Sequence, residues 1–278
     1  MLTIRRLELK EMVFPIELAA KEGWDPGLYD GMSLYKADPT GFLLAELDGG
    51  MVGCIWAIRY SEQFGFIGGQ IVLPPFRGQG IGDFLWQNAM DSLQNRIIGI
   101  DGLIVQSDFY KRHGFIPEHK IVRYGGVISE AACISMNIYP TQEVPEDQII
   151  AYDERMFGCS RPEFLASWLD QPASETACYV DNKQVKGLGM IRASRQGYRI
   201  GPLYADNPEI GVSLLQYLAC KAGHNPIYMD IPEGNSVASE VAQQFGMKSV
   251  FSRMRYYTGQ GWELPIPNIF AMTGLDIS

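Results

Sequence analysis

The sequence is poor in the residue types that hold metals or cross-link small folds. Its three histidines, His113, His119 and His224, never stand at ligand spacing, and its five cysteines, Cys54, Cys133, Cys159, Cys178 and Cys220, are scattered without a CxxC pair. Neither a metal site nor a disulfide framework is expected, and the cysteines read as free, buried or half-buried thiols. Basic residues are also short, 23 Lys and Arg against 32 Asp and Glu, for a net charge of −9. That balance opposes a nucleic-acid partner, which would need a basic face, and favours a neutral or cationic substrate. The first residues, MLTIRRLELKEM, mix charge with apolar side chains, and no stretch offers the roughly twenty apolar residues of a membrane span. No membrane partner is expected, and a cytoplasmic location is.

What is present fits a globular protein of two domains. The chain has 278 residues, 46% of them hydrophobic, enough for two cores. A strand (Leu2 to Leu9), a helix (Met12 to Lys21) and the turn-rich GWDPGLYDG come first. FLLAEL and MVGCIWAIRY then flank Asp48-Gly49-Gly50 as a hairpin. IVLPPFRGQGIGDFLWQNAM follows, and after it the strand IIGIDGLIV, the segment DFYKRHGF and the strand HKIVRYG. This order predicts an α+β fold, a three-layer arrangement with a central mixed, mostly antiparallel sheet flanked by helices.

The second half repeats the first. Asp48 to Val52 with Ile58-Arg59 matches Asp181 to Val185 with Ile191-Arg192, while Gly69, Gly114 and Arg123-Tyr124 match Gly201, Gly246 and Arg255-Tyr256 at a nearly constant shift. The spacing predicts a tandem duplication with a boundary in YPTQEVPEDQ, giving units 1–138 and 139–278. In this register Glu209, Ile210, Val212 and Leu214 stand opposite Arg77, Gly78, Gly80 and Gly82, so the second unit is expected to lack the first unit's loop. Ala242 stands opposite Tyr110.

That loop is the strongest chemical signal. Arg77-Gly78-Gln79-Gly80-Ile81-Gly82 joins an apolar strand to a helix, and its glycines leave backbone N–H groups bare beside the positive end of the helix dipole. A phosphate or pyrophosphate suits the place. A ligand-free turn is one alternative. A dinucleotide fold with Asp101 on the ribose is another, although the spacing is GxGxG where that fold uses GxGxxG. A P-loop fails, because no Gly-Lys-Ser/Thr follows.

Val72-Leu-Pro74-Pro-Phe-Arg77-Gly78-Gln-Gly80-Ile-Gly82 closely resembles the V-x-P-x-x-R-G-x-G-x-G signature of the GNAT superfamily of acyl-CoA-dependent N-acetyltransferases, and Tyr110-Lys-Arg-His-Gly114-Phe115 resembles its second element. The resemblance covers residues 1 to 130 with specific motifs and the second half as a degenerate copy. It implies two tandem GNAT-like domains, with acetyl-CoA as co-substrate and no metal. The implied donor contacts are Gln70, Ile71 and Val72 along the pantetheine arm and Arg77, Gly78, Gln79, Gly80, Ile81 and Gly82 at the pyrophosphate. Tyr110 is implied as the acid for the leaving thiolate. An asparagine that many members carry before the tyrosine is missing from GLIVQSDFY. Glu22, Asp25, Asp30 and Asp101 are candidate bases without a signal that singles one out, and Trp24 and Tyr29 are candidate walls of an acceptor site. Asp230, Asn235, Arg161, Arg192 and Arg255 carry no site assignment. The acceptor implied is a small-molecule or peptide amine; a non-catalytic acyl-CoA sensor is the alternative.

Overall fold

The computed structural model describes residues 1–129 and 136–277. The first half contains β1 (Leu2–Arg6), α1 (Val13–Lys21), α2 (Asp30–Ala37), β2 (Phe42–Leu47), β3 (Gly50–Arg59), β4 (Phe64–Val72), α3 (Ile81–Ser92), β5 (Ile97–Gly102), α4 (Ser107–Arg112) and β6 (Ile116–Gly126). The same order returns as β7 (Ile138–Pro140), α5 (Glu146–Phe157), α6 (Pro162–Leu169), β8 (Ser174–Asp181), β9 (Gln184–Ser194), β10 (Gly197–Ala205), α7 (Pro208–Ala222), β11 (Ile227–Pro232), α8 (Ser236–Gln244) and β12 (Lys248–Tyr257). A short β13 (Ile269–Ala271) follows.

Local chemistry sets the elements. The β2–β3 hairpin turns on Asp48 and Gly49, both at positive φ, and the β8–β9 hairpin turns on Asn182 and Lys183, also both positive. The same turn backbone thus serves both copies with different residues, each pair meeting the demand of a two-residue hairpin. In α3, Ile81, Leu85, Trp86 and Ala89 share a buried face, and in α7 Leu214, Leu215, Leu218, Ala219 and Ala222 do the same. These helices seal two of the cores, one around Ile67, Leu85 and Trp86, the other around Leu203, Leu218 and Ile231.

Among the described residues one continuous thirteen-stranded sheet runs β1-β2-β3-β4-β5-β12-β6-β11-β10-β9-β8-β7, with β13 added against β10. The pairings of β4 with β5 and of β10 with β11 are parallel and the others antiparallel. The halves therefore exchange strands: β12 of the second half pairs with β5, and β6 of the first half lies between β12 and β11. α1, α2 and the loop between them lean on the second half, where Leu28 N donates to Ala193 O at 2.9 Å and α2 packs on α6.

Both parallel pairs part after a few residues. β4 follows β5 from Phe64↔Ile97 to Ile67↔Ile100 and then leaves it at a bulge centred on Gly69, whose φ is +58°. A side chain there would collide with the Trp56 ring, 1.7 Å from an ideal Cβ. β10 follows β11 from Tyr198↔Ile227 to Ile200↔Met229 and then leaves it in turn. Into that second gap the chain inserts β13, pairing Leu203 with Ala271 and Tyr204 with Ile269.

Two expectations change. Cys54, Cys159 and Cys178 are free, whereas Cys220 is disulfide-bonded, because spacing along a sequence does not report which thiols meet in the fold; Cys133 lies outside the described residues. Glu209, Ile210, Val212 and Leu214 are not the counterparts of Arg77, Gly78, Gly80 and Gly82 in the repeated fold. They belong to α7, because the second half joins β10 to α7 with residues 206–207 alone where the first half spends 73–80.

Candidate active site

The gap between β4 and β5 opens into a cleft of about 560 Å³ that continues to the glycine loop and the start of α3. Gly78 (φ +74°) and Gly80 (φ +77°) hold the loop in a conformation that side chains rarely adopt, and an ideal Cβ at either meets nothing within 4 Å. The first helical bond runs from Phe84 N to Gly80 O at 3.0 Å, and no side chain caps the turn. The amides of Ile81, Gly82 and Asp83 are thus left at the helix mouth. The place fits an anion such as a pyrophosphate.

The other residues of the motif shape the loop. Gln70 Nε2 donates to Gly82 O at 2.8 Å, tying the strand to the helix start. Arg77 Nε donates to Val72 O at 2.8 Å and its Nη2 pairs with Glu22. Gln79 Nε2 donates to Pro75 O at 3.2 Å. Ile81 is buried in the core, so only its backbone faces the loop. Gln70, Ile71, Val72, Arg77, Gly78 and Gly82 line the cleft together with Tyr110.

Tyr110 is buried, with its ring lying on β5 where Gly102 leaves room; an ideal Cβ there would come within 2.3 Å of it. Its hydroxyl donates to Gln106 Oε1 at 2.9 Å, and burial pushes its pKa up to about 12. A hydroxyl in this state remains a proton donor throughout neutral pH.

The four carboxylates singled out in the sequence each already hold a hydrogen-bond partner, although the buried Asp25 Oδ2 is left without one. Asp101 receives Arg255 through both oxygens, at 2.6 and 3.1 Å, and Asp30 receives Arg192 at 2.7 and 3.0 Å. Glu22 holds Arg77, and Asp25 accepts from Arg195 N at 3.1 Å. Of the aromatic candidates, Trp24 lines the cleft, whereas Tyr29 is not among the residues that do.

Sequence reasoning missed what the second half brings. Arg253 on β12 and Asp276 beyond β13 both line the cleft, and both also line a second, smaller space of about 40 Å³ between the halves. The backbone of Asp276 presses on the parting strand: an ideal Cβ at Gly68 would lie 2.4 Å from Asp276 O, which accepts from Trp56 Nε1 at 2.8 Å. Burial raises the Asp276 carboxyl, and Arg253 is the foremost charge opposing that rise. The inner space also meets the buried pair Arg123–Asp230, closed at 2.7 and 2.9 Å, and Arg192. Arg161 is closed on Asp153, and Asn235 caps α8 by accepting from Ala238 N. The signal that could have found Arg253 and Asp276 is three-dimensional, since neither sits in a motif.

In the second half the equivalent place is shut. Asn207 Oδ1 accepts from Ile210 N at 3.0 Å and caps α7, Pro208 begins that helix, and the Phe270 ring lies against Gly211, 2.8 Å from an ideal Cβ. Among the described residues no group of three or more His, Cys, Asp or Glu gathers as a metal site, and no helix is long and apolar enough to cross a membrane.

Two family profiles, both described as an acetyltransferase (GNAT) domain, match residues 38–117 and 149–271, together well over half of the chain. The chain is 26% identical over 259 residues to the holothin acyltransferase of Pseudoalteromonas sp., covering 93% of this chain and 88% of that protein. It is 32% identical over 96 residues to the mycothiol acetyltransferase of Acidimicrobium ferrooxidans, 31% of each chain. Its fold is similar to that of a Pyrococcus horikoshii protein named as a candidate acetyltransferase, with a TM-score of 0.82 at 21% identity, covering 98% of this chain and 94% of that one. A tandem GNAT protein from the clavulanic acid biosynthesis pathway gives a TM-score of 0.64 at 12% identity, over 94% of this chain and all of that one.

Proposed function

Because the chain belongs to the GNAT acetyltransferases, with one such domain in each half, we propose that it transfers an acetyl group from acetyl-CoA to a primary amine of a small molecule or peptide. In this reading residues 1–138 bind the donor and residues 139–278 form the unit that has lost its donor site. The co-substrate supplies an acyl group activated as a thioester.

The chain's own residues supply the rest. Backbone amides from Gly78 to Gly82, at the positive end of α3 and beside the charge of Arg77, take the pyrophosphate. The free edge of β4 at Gln70, Ile71 and Val72 pairs with the pantetheine arm as a further strand would. An amide on that edge, near Val72, donates to the thioester oxygen as charge builds there. Tyr110 gives its hydroxyl proton to the departing thiolate.

The observation that carries this reading is the asymmetry of the two gaps: the one between β4 and β5 is open and leads to bare amides, and the one between β10 and β11 holds β13. Calorimetric titration tests it. One acetyl-CoA bound per chain, together with release of free thiol stimulated by members of an amine panel, is the expected result. The Pseudoalteromonas relative is named for an acyl rather than an acetyl group, so propionyl-CoA belongs in the same titration. Absence of binding would overturn the donor site, and binding without amine-stimulated thiol release would leave an acyl-CoA sensor.

A further inference from the structure

The inner space between the halves has an unusual charge balance. Arg123, Arg192, Arg199 and Arg253 line it against Asp30, Asp230 and Asp276, an excess of one positive charge in a chain of net charge −9. Arg123 and Arg192 are closed on their aspartates. Arg199 donates to the Trp24 and Asp25 carbonyl oxygens, at 2.7 and 2.5 Å, and its Nη1, 4.0 Å from Asp230, has no hydrogen-bond partner.

Arg253 is the more open of the two. It is 5% exposed, its Nε has no partner, and its guanidinium is held 5.1 Å from the Trp24 ring centroid and 5.7 Å from that of Phe251. Aromatic faces position a guanidinium without meeting its donors. A buried cation is ordinarily closed by a carboxylate, because leaving it unpaired is expensive. Here the space beside it, about 40 Å³, is large enough for a carboxylate. Asp276 stands where that space opens into the donor cleft.

Building on the acetyltransferase reading, we propose that the acceptor is an amine that also carries a carboxylate, as an amino acid does. Its carboxylate seats on Arg253 with Arg199 behind, and its amino group faces Asp276 at the mouth. Such a zwitterion has no net charge and so agrees with the neutral substrate that overall composition favours, while the charges that line the cavity select its carboxylate. The ammonium gives one proton to Asp276. The amine nitrogen then bonds to the acyl carbon as the C–S bond breaks, Tyr110 gives its proton to the thiolate, and the nitrogen's second proton leaves to solvent, from which Tyr110 is restored. Arg253, Arg123, Arg255, Asp230 and Asp101 are the charges that act on Asp276, with Tyr110 across the cleft.

The test compares free amino acids with their carboxamides in wild type, Arg253→Gln, Arg253→Lys and Asp276→Asn. In wild type, amino acids are expected to raise the melting temperature in the presence of CoA and to stimulate thiol release, and the carboxamides to do neither. Arg253→Gln should raise KM for the amino acid about tenfold to a hundredfold, and Arg253→Lys should recover part of that. Asp276→Asn should lower kcat and remove the acid limb of the pH–rate profile. Carboxamides acting as well as amino acids, equal stabilisation by plain acetate, or amino-acid stabilisation that survives in Arg253→Gln would each overturn the proposal. The melting readout decides the matter even if no thiol is released, so failure of the transferase reading remains distinguishable from failure of this one.

Discussion

Between β4 and β5 the ladder ends at Ile67↔Ile100 and the space beyond stays open, whereas between β10 and β11 it ends at Ile200↔Met229 and β13 enters. The strands part in both copies, so the parting alone specifies no ligand. What differs is the connection that follows. The first copy spends residues 73–80 on a loop whose glycines expose amides; the second spends residues 206–207, caps its helix with Asn207, and lays Phe270 on Gly211. A gap between strands costs hydrogen bonds and apolar contact, and each copy recovers them differently. One is left open as a cleft, and the other is completed by its own chain.

The comparison can be broken at three places. The largest effect is expected at Gly80: Gly80→Trp should reduce acetyl-CoA binding below calorimetric detection, since it forces a bulky residue to positive φ in the middle of the anion site. Binding that survives would remove the loop from the donor site. Next is Phe270→Ala, which should lower stability by about 3–5 kcal/mol in denaturant unfolding, as large truncations in cores do. It should leave the stoichiometry at one acetyl-CoA per chain. A second bound molecule would mean that the Phe270 ring, rather than the shortened loop, keeps the other gap closed.

The smallest effect is expected at Tyr110. Tyr110→Phe should lower kcat about a hundredfold with unchanged acetyl-CoA affinity. Its folded pKa, raised from 10.0 to about 12 by burial, means that the fold favours the protonated hydroxyl. The stability this contributes is present below pH 10 and lost as pH rises through about 12. In wild type, therefore, no alkaline fall in rate traceable to this hydroxyl is expected below about pH 10; such a fall, retained in the variant, would put the acid elsewhere.

The parts of this molecule that sequence reveals are those whose chemistry is local. The hairpin at Asp48-Gly49, the helix at Ile81 and the loop from Arg77 to Gly82 each follow from residues a few positions apart, and all lie where their local chemistry puts them. The register of the repeat failed at Glu209 because a constant shift cannot register a shortened loop. The strand exchange is invisible for another reason: an apolar strand states that it needs neighbours without stating which. Arg255 and Asp101 are 154 positions apart and still close on each other through both carboxylate oxygens. Arg253 and Asp276 were hidden likewise, since what marks them is the lack of a local partner, and that exists only once the halves have met.

The exchange of β6 and β12 also determines what the chain is as an object. Each half finishes its sheet with the other's last strand, an arrangement equivalent to a swapped dimer whose two subunits have been joined into one polypeptide. Cutting at the midpoint would leave two pieces, each missing an interior strand and exposing unpaired edges, so neither is expected to stand alone as a smaller acetyltransferase. Only the two pieces made together could rebuild the enzyme. The second half is thus needed for the first half to have a complete sheet at all.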